Sequence, residues 1–221
     1  MSGFDFGLIA DYAPEFWRGT IATITYSLAS LVLALAIGLT VALARMSRLR
    51  TLSVPARVII DVIRGTPALV QIFFIYFGMP AIGVNLSAPV AGVIALGLNT
   101  GGYLAEIFRA GIESIAPGQW DAGRSLGLHP AKIFWLIVLP QAALRAVPPS
   151  AGEVTSLVKG TSLLSTISIS ELTRVGQQII GVTFRPIEAY AAIGLIYLLL
   201  NGLVAQGALM LERTLRRRQG L

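Results

Sequence analysis

The chain has 221 residues and carries 17 Lys and Arg against 11 Asp and Glu, a formal net charge of +6; it is 55% hydrophobic and 13% charged. Soluble domains average about 25% charged residues, so a chain with a mean hydropathy of +0.75 has too few charges to coat a soluble domain and suits a bilayer, where lipid meets the outward face. Cysteine is absent, which excludes a disulfide framework, a thiolate zinc site and a cysteine nucleophile, and the single histidine, His129, argues against a histidine-rich metal site.

In chain order, the first apolar stretch does not read as a signal peptide. Its start carries Asp5, Asp11 and Glu15 rather than basic residues, and it is longer than an apolar region of about 7–15 residues. No charge falls between Arg18 and Arg45, and a helix needs about 20 apolar residues to cross the hydrocarbon core, so the first span is expected over roughly Thr20–Ala44. The uncharged run from Arg64 to Glu106 is too long for one span. Gly78, Pro80, Gly83, Asn85 and Pro89 divide it as turn residues do, giving a second span over roughly Pro55–Met79 and a third over Pro89–Phe108. Ala189–Leu211 is uncharged and makes the last span.

The fourth span has two readings. Ile133–Leu144 is uncharged but short, Pro140 interrupts it, and Pro148 and Pro149 follow. One reading starts the span near Lys132. The other lays Pro130–Leu139 along the membrane surface and crosses from about Gln141 to Thr161. Proline is tolerated in membrane helices, so periodicity leaves both open.

Five spans put the termini on opposite sides, and the asymmetry of arginine and lysine chooses between them. Arg45, Arg48, Arg50 and Arg57 separate the first two spans, Arg109, Arg124 and Lys132 follow the third, and Arg213, Arg216, Arg217 and Arg218 close the chain. The opposite side holds only Arg18, and the 79–88 loop has no charge. The expectation is an all-α integral membrane protein of about five spans, one domain over 1–221, with the N-terminus outside and the C-terminus in the cytoplasm. Basic residues gathered in loops on one side are membrane flanks and not a nucleic-acid surface.

The segment from Glu106 to Pro140 is long and mixed in charge. Within it Gly118–Leu126 reads as a short amphipathic helix, with Gly127 at its C-terminal stop, where a left-handed residue is often needed. Such a helix serves either as a plain surface connector or as a lever on which a soluble partner acts.

Ionisable groups inside a membrane are costly and mark substrate paths or structural pairs. Asp61 and Arg64 are three residues apart, so they can pair on one helix face. If the fourth span starts near Gln141, Glu153 lies about 12 residues, roughly 18 Å, into it, with Ser156 and Lys159 on successive turns beyond. An acid and a base along one helix suit the two ends of a zwitterion. If the span starts near Lys132, both sit at the outer rim and snorkel into water. Asn99, beside Gly101 and Gly102, is a further candidate for the same cavity. No P-loop is present, and His129 stands beside no serine and acid, so no catalytic constellation is expected.

Asp121-Ala122-Gly123, then Gly127, then Ile137-Val138-Leu139-Pro140 resembles the EAA loop of binding-protein-dependent ABC permeases. That pattern is Glu-Ala-Ala, three residues, Gly, nine residues, Ile-x-Leu-Pro. Every spacing fits, with Asp for Glu at 121 and Gly for Ala at 123. Arg64-Gly-Thr-Pro-Ala-Leu-Val-Gln71, Tyr76-Phe-Gly-Met-Pro80, Asn99 to Arg109, and Leu157-Val-Lys-Gly-Thr-Ser-Leu163 resemble the histidine-, arginine- and glutamine-type branch, although Gly160 stands where that branch often has Asp or Asn.

The resemblance implies a type I ABC importer permease fold in a bacterial inner membrane and a translocation path for a polar amino acid. Glu153, Lys159, Ser156, Asn99, Asp61 and Arg64 are the path candidates it supports. It also implies that the loop, through Gly118, Asp121, Ala122, Gly123, Leu126 and Gly127, docks on a dimer of ATP-binding subunits. ATP and magnesium then belong to that partner, and this chain has no cofactor and does no covalent chemistry. The remaining implied partners are a second permease subunit, identical or homologous, an extracytoplasmic amino-acid-binding protein and membrane lipid. The alternative is an ATP-independent secondary transporter or channel; many of those carry internal repeats, and none is visible here.

Overall fold

The structure, a computed structural model, describes residues 6–218; Asp5 lies outside them. The described residues form helices joined by short turns and no strand, in the order α1 (Phe6–Asp11), α2 (Ala13–Arg45), α3 (Arg50–Gly65), α4 (Ala68–Phe73), α5 (Ala88–Glu113), α6 (Pro117–Ser125), α7 (Pro130–Ile133), α8 (Leu139–Gly160), α9 (Leu172–Thr183) and α10 (Pro186–Arg218). Four helical runs are long and apolar enough to cross a membrane: α2, α5, the run Pro130–Ile167 and α10. The bent pair formed by α3 and the stretch Ala68–Ile82 makes a fifth.

The bundle is arranged the opposite way to a soluble one. Along α2 the buried residues are small or hydroxylated, among them Thr23, Ser27, Ser30, Ala34, Gly38 and Ala42, while Leu28, Val32, Leu35, Leu39 and Leu43 point outward. Lipid tails are as apolar as leucine, so membrane helices associate through close backbone packing at small residues. α5 lies along α2 and supplies the matching small face. A Cβ at Gly102 would come within 2.6 Å of Ile63 on α3, so that glycine is what lets α3 and α5 meet.

Three expectations need correction. The second span is not one straight helix over Pro55–Met79. α3 runs from Arg50 to Gly65, the chain turns by 109°, and α4 continues through a π-turn (Phe74–Gly78) into a 3-10 turn (Met79–Ile82). Proline drives its preceding residue out of the helical region: Thr66 is extended at φ −118° and ψ 141° ahead of Pro67. Gln71 then steadies the elbow. Its side-chain nitrogen donates to the hydroxyl of Thr66 at 2.8 Å and to the carbonyl of Ile63 at 2.8 Å, a group that the end of α3 leaves without an intrahelical partner.

The third span does not stop at Phe108, because α5 continues to Glu113. Arg109 pairs with Glu106 and Glu113 at i−3 and i+4, which makes a charged turn compatible with helix. Finally, the fourth span follows neither reading alone. Pro130–Ile167 is one helical run of 38 residues, about 57 Å at 1.5 Å per residue, against a hydrocarbon core of about 30 Å. It begins near Lys132, yet its register against α5 is set further on. A Cβ at Gly111 would lie 3.1 Å from the carbonyl of Ala142, and one at Gly160 would lie 3.6 Å from Leu96. The two helices are therefore antiparallel, and Glu153 stands level with the middle of α5.

Candidate functional site

Between α3, α5 and α8 lies a cavity of about 270 Å³ lined by Arg64, Tyr103, Glu106, Ile107, Ala110, Pro149 and Glu153. Each helix contributes for a local reason. Arg64, in the last turn of α3, turns toward α5, where its guanidinium lies 5.4 Å from the centre of the Tyr103 ring, a cation–π distance. It makes no ion pair among the described residues. Asp61 is exposed and does not pair with it, so the side-by-side pair expected on α3 does not form. Glu153 is half-buried and has no hydrogen-bond partner among the described residues. Glu106 differs: Arg109 bonds it directly, and Arg45, from the end of α2, approaches it at 3.5 Å. Its charge is thus balanced within the protein, while Glu153 and Arg64 line the cavity without a hydrogen bond or ion pair among the described residues.

Of the residues singled out in the sequence, the cavity gathers Glu153 and Arg64. Ser156 and Lys159 are exposed on α8 beyond it. Asn99 is half-buried, and its amide nitrogen donates to the side-chain oxygen of Gln71 at 3.2 Å, so it braces the α3–α4 elbow. Tyr103, Glu106 and Gln71 went unassigned in the sequence, although all three fall in its quoted stretches; an acid three residues from an arginine was the available signal for Glu106.

At the arginine-rich end of the bundle, α6 ends as expected. Gly127 has φ +72°; its N–H donates to Arg124 at 2.9 Å and that of Leu128 to Gly123 at 3.1 Å, the two bonds of a Schellman stop. A Cβ at Gly123 would sit 2.8 Å from the fully buried Ile133, which accounts for glycine in place of the pattern's alanine: α6 is pressed onto α7. Trp120 and Leu128 join the same cluster as Ile112, Ile115, Ile133, Val138 and Ala142. Gly118, Asp121, Ala122 and Leu126 remain exposed on the other side, Leu126 at 77%, and Arg124 pairs with Asp121 at 2.9 Å. His129 has a structural part, its Nδ1 accepting from the N–H of Ala131 at 3.3 Å to cap α7.

A bundle of membrane spans around a polar cavity, with an amphipathic helix held at one end, is the build of a transport subunit. The chain belongs to the binding-protein-dependent transport system inner membrane component family, which it matches over residues 34–217. It is 37% identical over 210 residues to the probable amino-acid ABC transporter permease protein YckA of Bacillus subtilis (strain 168), covering 95% of this chain and 93% of that protein. It is 35% identical over 215 residues to the glutamine transport system permease protein GlnP of Escherichia coli (strain K12), covering 96% and 98%. Among solved structures, an amino acid ABC transporter crystallised with histidines superposes with a TM-score of 0.90 at 36% identity, covering 97% of this chain and all of that one. The protein is therefore a permease subunit of an ABC importer in the inner membrane, a transport component rather than an enzyme, in a family whose ATPase is a separate subunit and whose transport depends on a binding protein. This sets aside the ATP-independent transporter.

Proposed function

We propose that the chain carries a polar amino acid through the cavity of Glu153, Arg64, Tyr103 and Glu106, as one of two permease subunits, identical or homologous, that enclose the path. One observation carries the reading: a carboxylate and a guanidinium, neither in a hydrogen bond or ion pair among the described residues, line the same cavity, level with the middle of α5. An amino acid brings the complementary pair, its ammonium for Glu153 and its carboxylate for Arg64. Tyr103 adds an aromatic wall. The relatives named for amino-acid and glutamine transport support the substrate class. Lys159 and Ser156 extend the polar side of α8, where the second subunit and the water of the path fit better than lipid.

In the same reading the arginine-rich end, with α6, is cytoplasmic and the N-terminus is outside. A dimer of ATP-binding subunits, holding ATP and magnesium, docks on the exposed side of α6 through Gly118, Asp121, Ala122 and Leu126. Gly123 and Gly127 shape that helix from its buried side and its end. An amino-acid-binding protein delivers substrate on the opposite face.

The test is uptake into proteoliposomes holding the complete transporter and its binding protein, with radiolabelled glutamine, arginine and histidine offered in turn. Glu153→Gln keeps the shape and removes the charge. Loss of a charge-assisted hydrogen bond costs about 1.5–3 kcal/mol, so uptake affinity is expected to fall by about one to two decades. Wild-type uptake of all three amino acids by Glu153→Gln refutes the assignment.

A further inference from the structure

The path reading leaves Arg145 unused. It is an exposed arginine on α8, and its guanidinium donates through Nη1 to the backbone carbonyl of Ser114, 31 residues away in sequence. Ser114 caps the C-terminus of α5. A cation there meets both an orphan carbonyl and the negative end of the helix dipole. Only Ile115 and Ala116 separate Ser114 from the first residue of α6, so Arg145 grips the joint at which α5 hands over to α6. One turn earlier on α8, Gln141 donates to Gln119 of α6 at 3.4 Å.

These two contacts define an asymmetry. α6 is joined to α5 by three residues of chain, so α5 follows it covalently. α8 follows the other end of α6 by a longer path of thirteen residues, 126–138, which includes α7 and a π-turn. Two side chains tie it more directly, Gln141 to the start of α6 and Arg145 to the α5–α6 joint, and Arg145 supplies the charged tie. Four residues beyond Arg145 comes Pro149 and eight beyond comes Glu153, which are the α8 wall of the cavity. A displacement of α6 reaches that wall along the chain, through the apolar cluster beneath α6 and, most directly, through Arg145 at the α5–α6 joint.

We propose that Arg145 is a positioning residue of the transport cycle, which passes the movement of α6 to α8 through the Ser114 carbonyl and so moves the Glu153 wall together with the α5 wall. The inference rests on the reading of α6 as the ATPase-docking helix. Arg145 touches neither substrate nor nucleotide in this scheme, so its loss changes how much transport each hydrolysed ATP produces.

The experiment measures both rates in the same proteoliposomes, containing the permease with its ATPase subunit and loaded binding protein, with radiolabelled L-glutamine and L-arginine as probes. Arg145→Ala is expected to lower uptake per ATP by at least about five-fold, the lower range of coupling between two sites, while the substrate concentration for half-maximal uptake stays at the wild-type value. Arg145→Lys keeps a cation near the carbonyl but not the forked guanidinium, and its ratio is expected to fall between alanine and wild type. It also serves as the test should the alanine variant not assemble. A merely structural role lowers both rates in proportion and leaves the ratio unchanged; that result, or equal losses for Lys and Ala, overturns the proposal. Absence of ATP-driven uptake in the wild type defeats the importer reading instead, so the two failures are distinguishable.

Discussion

Gln71 is the side chain on which the broken second span turns, and its removal has a calculable cost. Its amide nitrogen donates to the Ile63 carbonyl, the Thr66 carbonyl and the Thr66 hydroxyl, and its oxygen accepts from Asn99. Gln71→Leu keeps the volume and loses all four contacts. Polar contacts between membrane helices average about 0.6 kcal/mol, so the four sum to about 2–3 kcal/mol. For a chain of this size each kcal/mol shifts the unfolding midpoint by about 2–4 °C, and the variant is expected to unfold about 5–10 °C below wild type. Asn99→Ala removes one of the four contacts and is expected to give about a quarter of that shift. Thermal unfolding of the purified protein in detergent, followed by tryptophan fluorescence, measures both. Equal shifts for the two variants, or none for Gln71→Leu, would show that Gln71 does not hold the elbow.

Two further outcomes follow from the backbone and the charge pattern. Gly127→Val places a β-branched side chain at φ +72°, where strain costs about 1–3 kcal/mol; α6 loses its stop, and stimulation of the ATPase by loaded binding protein is expected to drop although the protein still inserts, so normal stimulation with normal uptake counts against a docking role for this loop. With no natural cysteine in the chain, Asn85→Cys and Thr214→Cys report topology: a membrane-impermeant thiol reagent on intact cells is expected to label position 85 alone, and labelling of 214 alone inverts the orientation.

Span limits set by charge alone are legible in the sequence. Arg18 and Arg45 bracket the apolar part of α2, and α2 ends at Arg45. The limits set by backbone chemistry were harder to read. Between Arg64 and Glu106 the lack of charge suggested a straight second span, while Thr66-Pro67 already held the break; proline is tolerated in so many membrane helices that its presence does not announce one. Charge misled at the other end of α5. Glu106, Arg109 and Glu113 looked like the start of a loop, yet at i, i+3 and i+7 they lie along one side of a helix, and their mutual pairing carries α5 five residues, about one and a half turns, further. The stop at Gly127 was legible because only the left-handed region ends a helix that way without cost, and glycine enters it freely.

Glu153 and Lys159 look alike in the sequence, two ionisable groups six residues apart on one helix. Packing separates them, and no period in the sequence encodes the separation. The register of α8 is fixed by Gly111 against Ala142 and by Gly160 against Leu96, contacts between residues some 30 and 64 positions apart that no local pattern announces. That register turns Glu153 to Tyr103 and Arg64 and leaves Lys159 about 9 Å further along the helix, exposed and without an ion pair among the described residues. A lysine facing lipid near the middle of a bilayer costs at least about 2.5 kcal/mol, more than a surface salt bridge returns. Ser156 lies on the same side, and Asp61 is likewise exposed on α3. These groups are tolerable if their side of the bundle faces water or protein, whereas the leucine-rich side of α2 faces lipid at no cost. The exposed Ser156 and Lys159 are therefore the argument for setting the proposed path and second subunit beside α8.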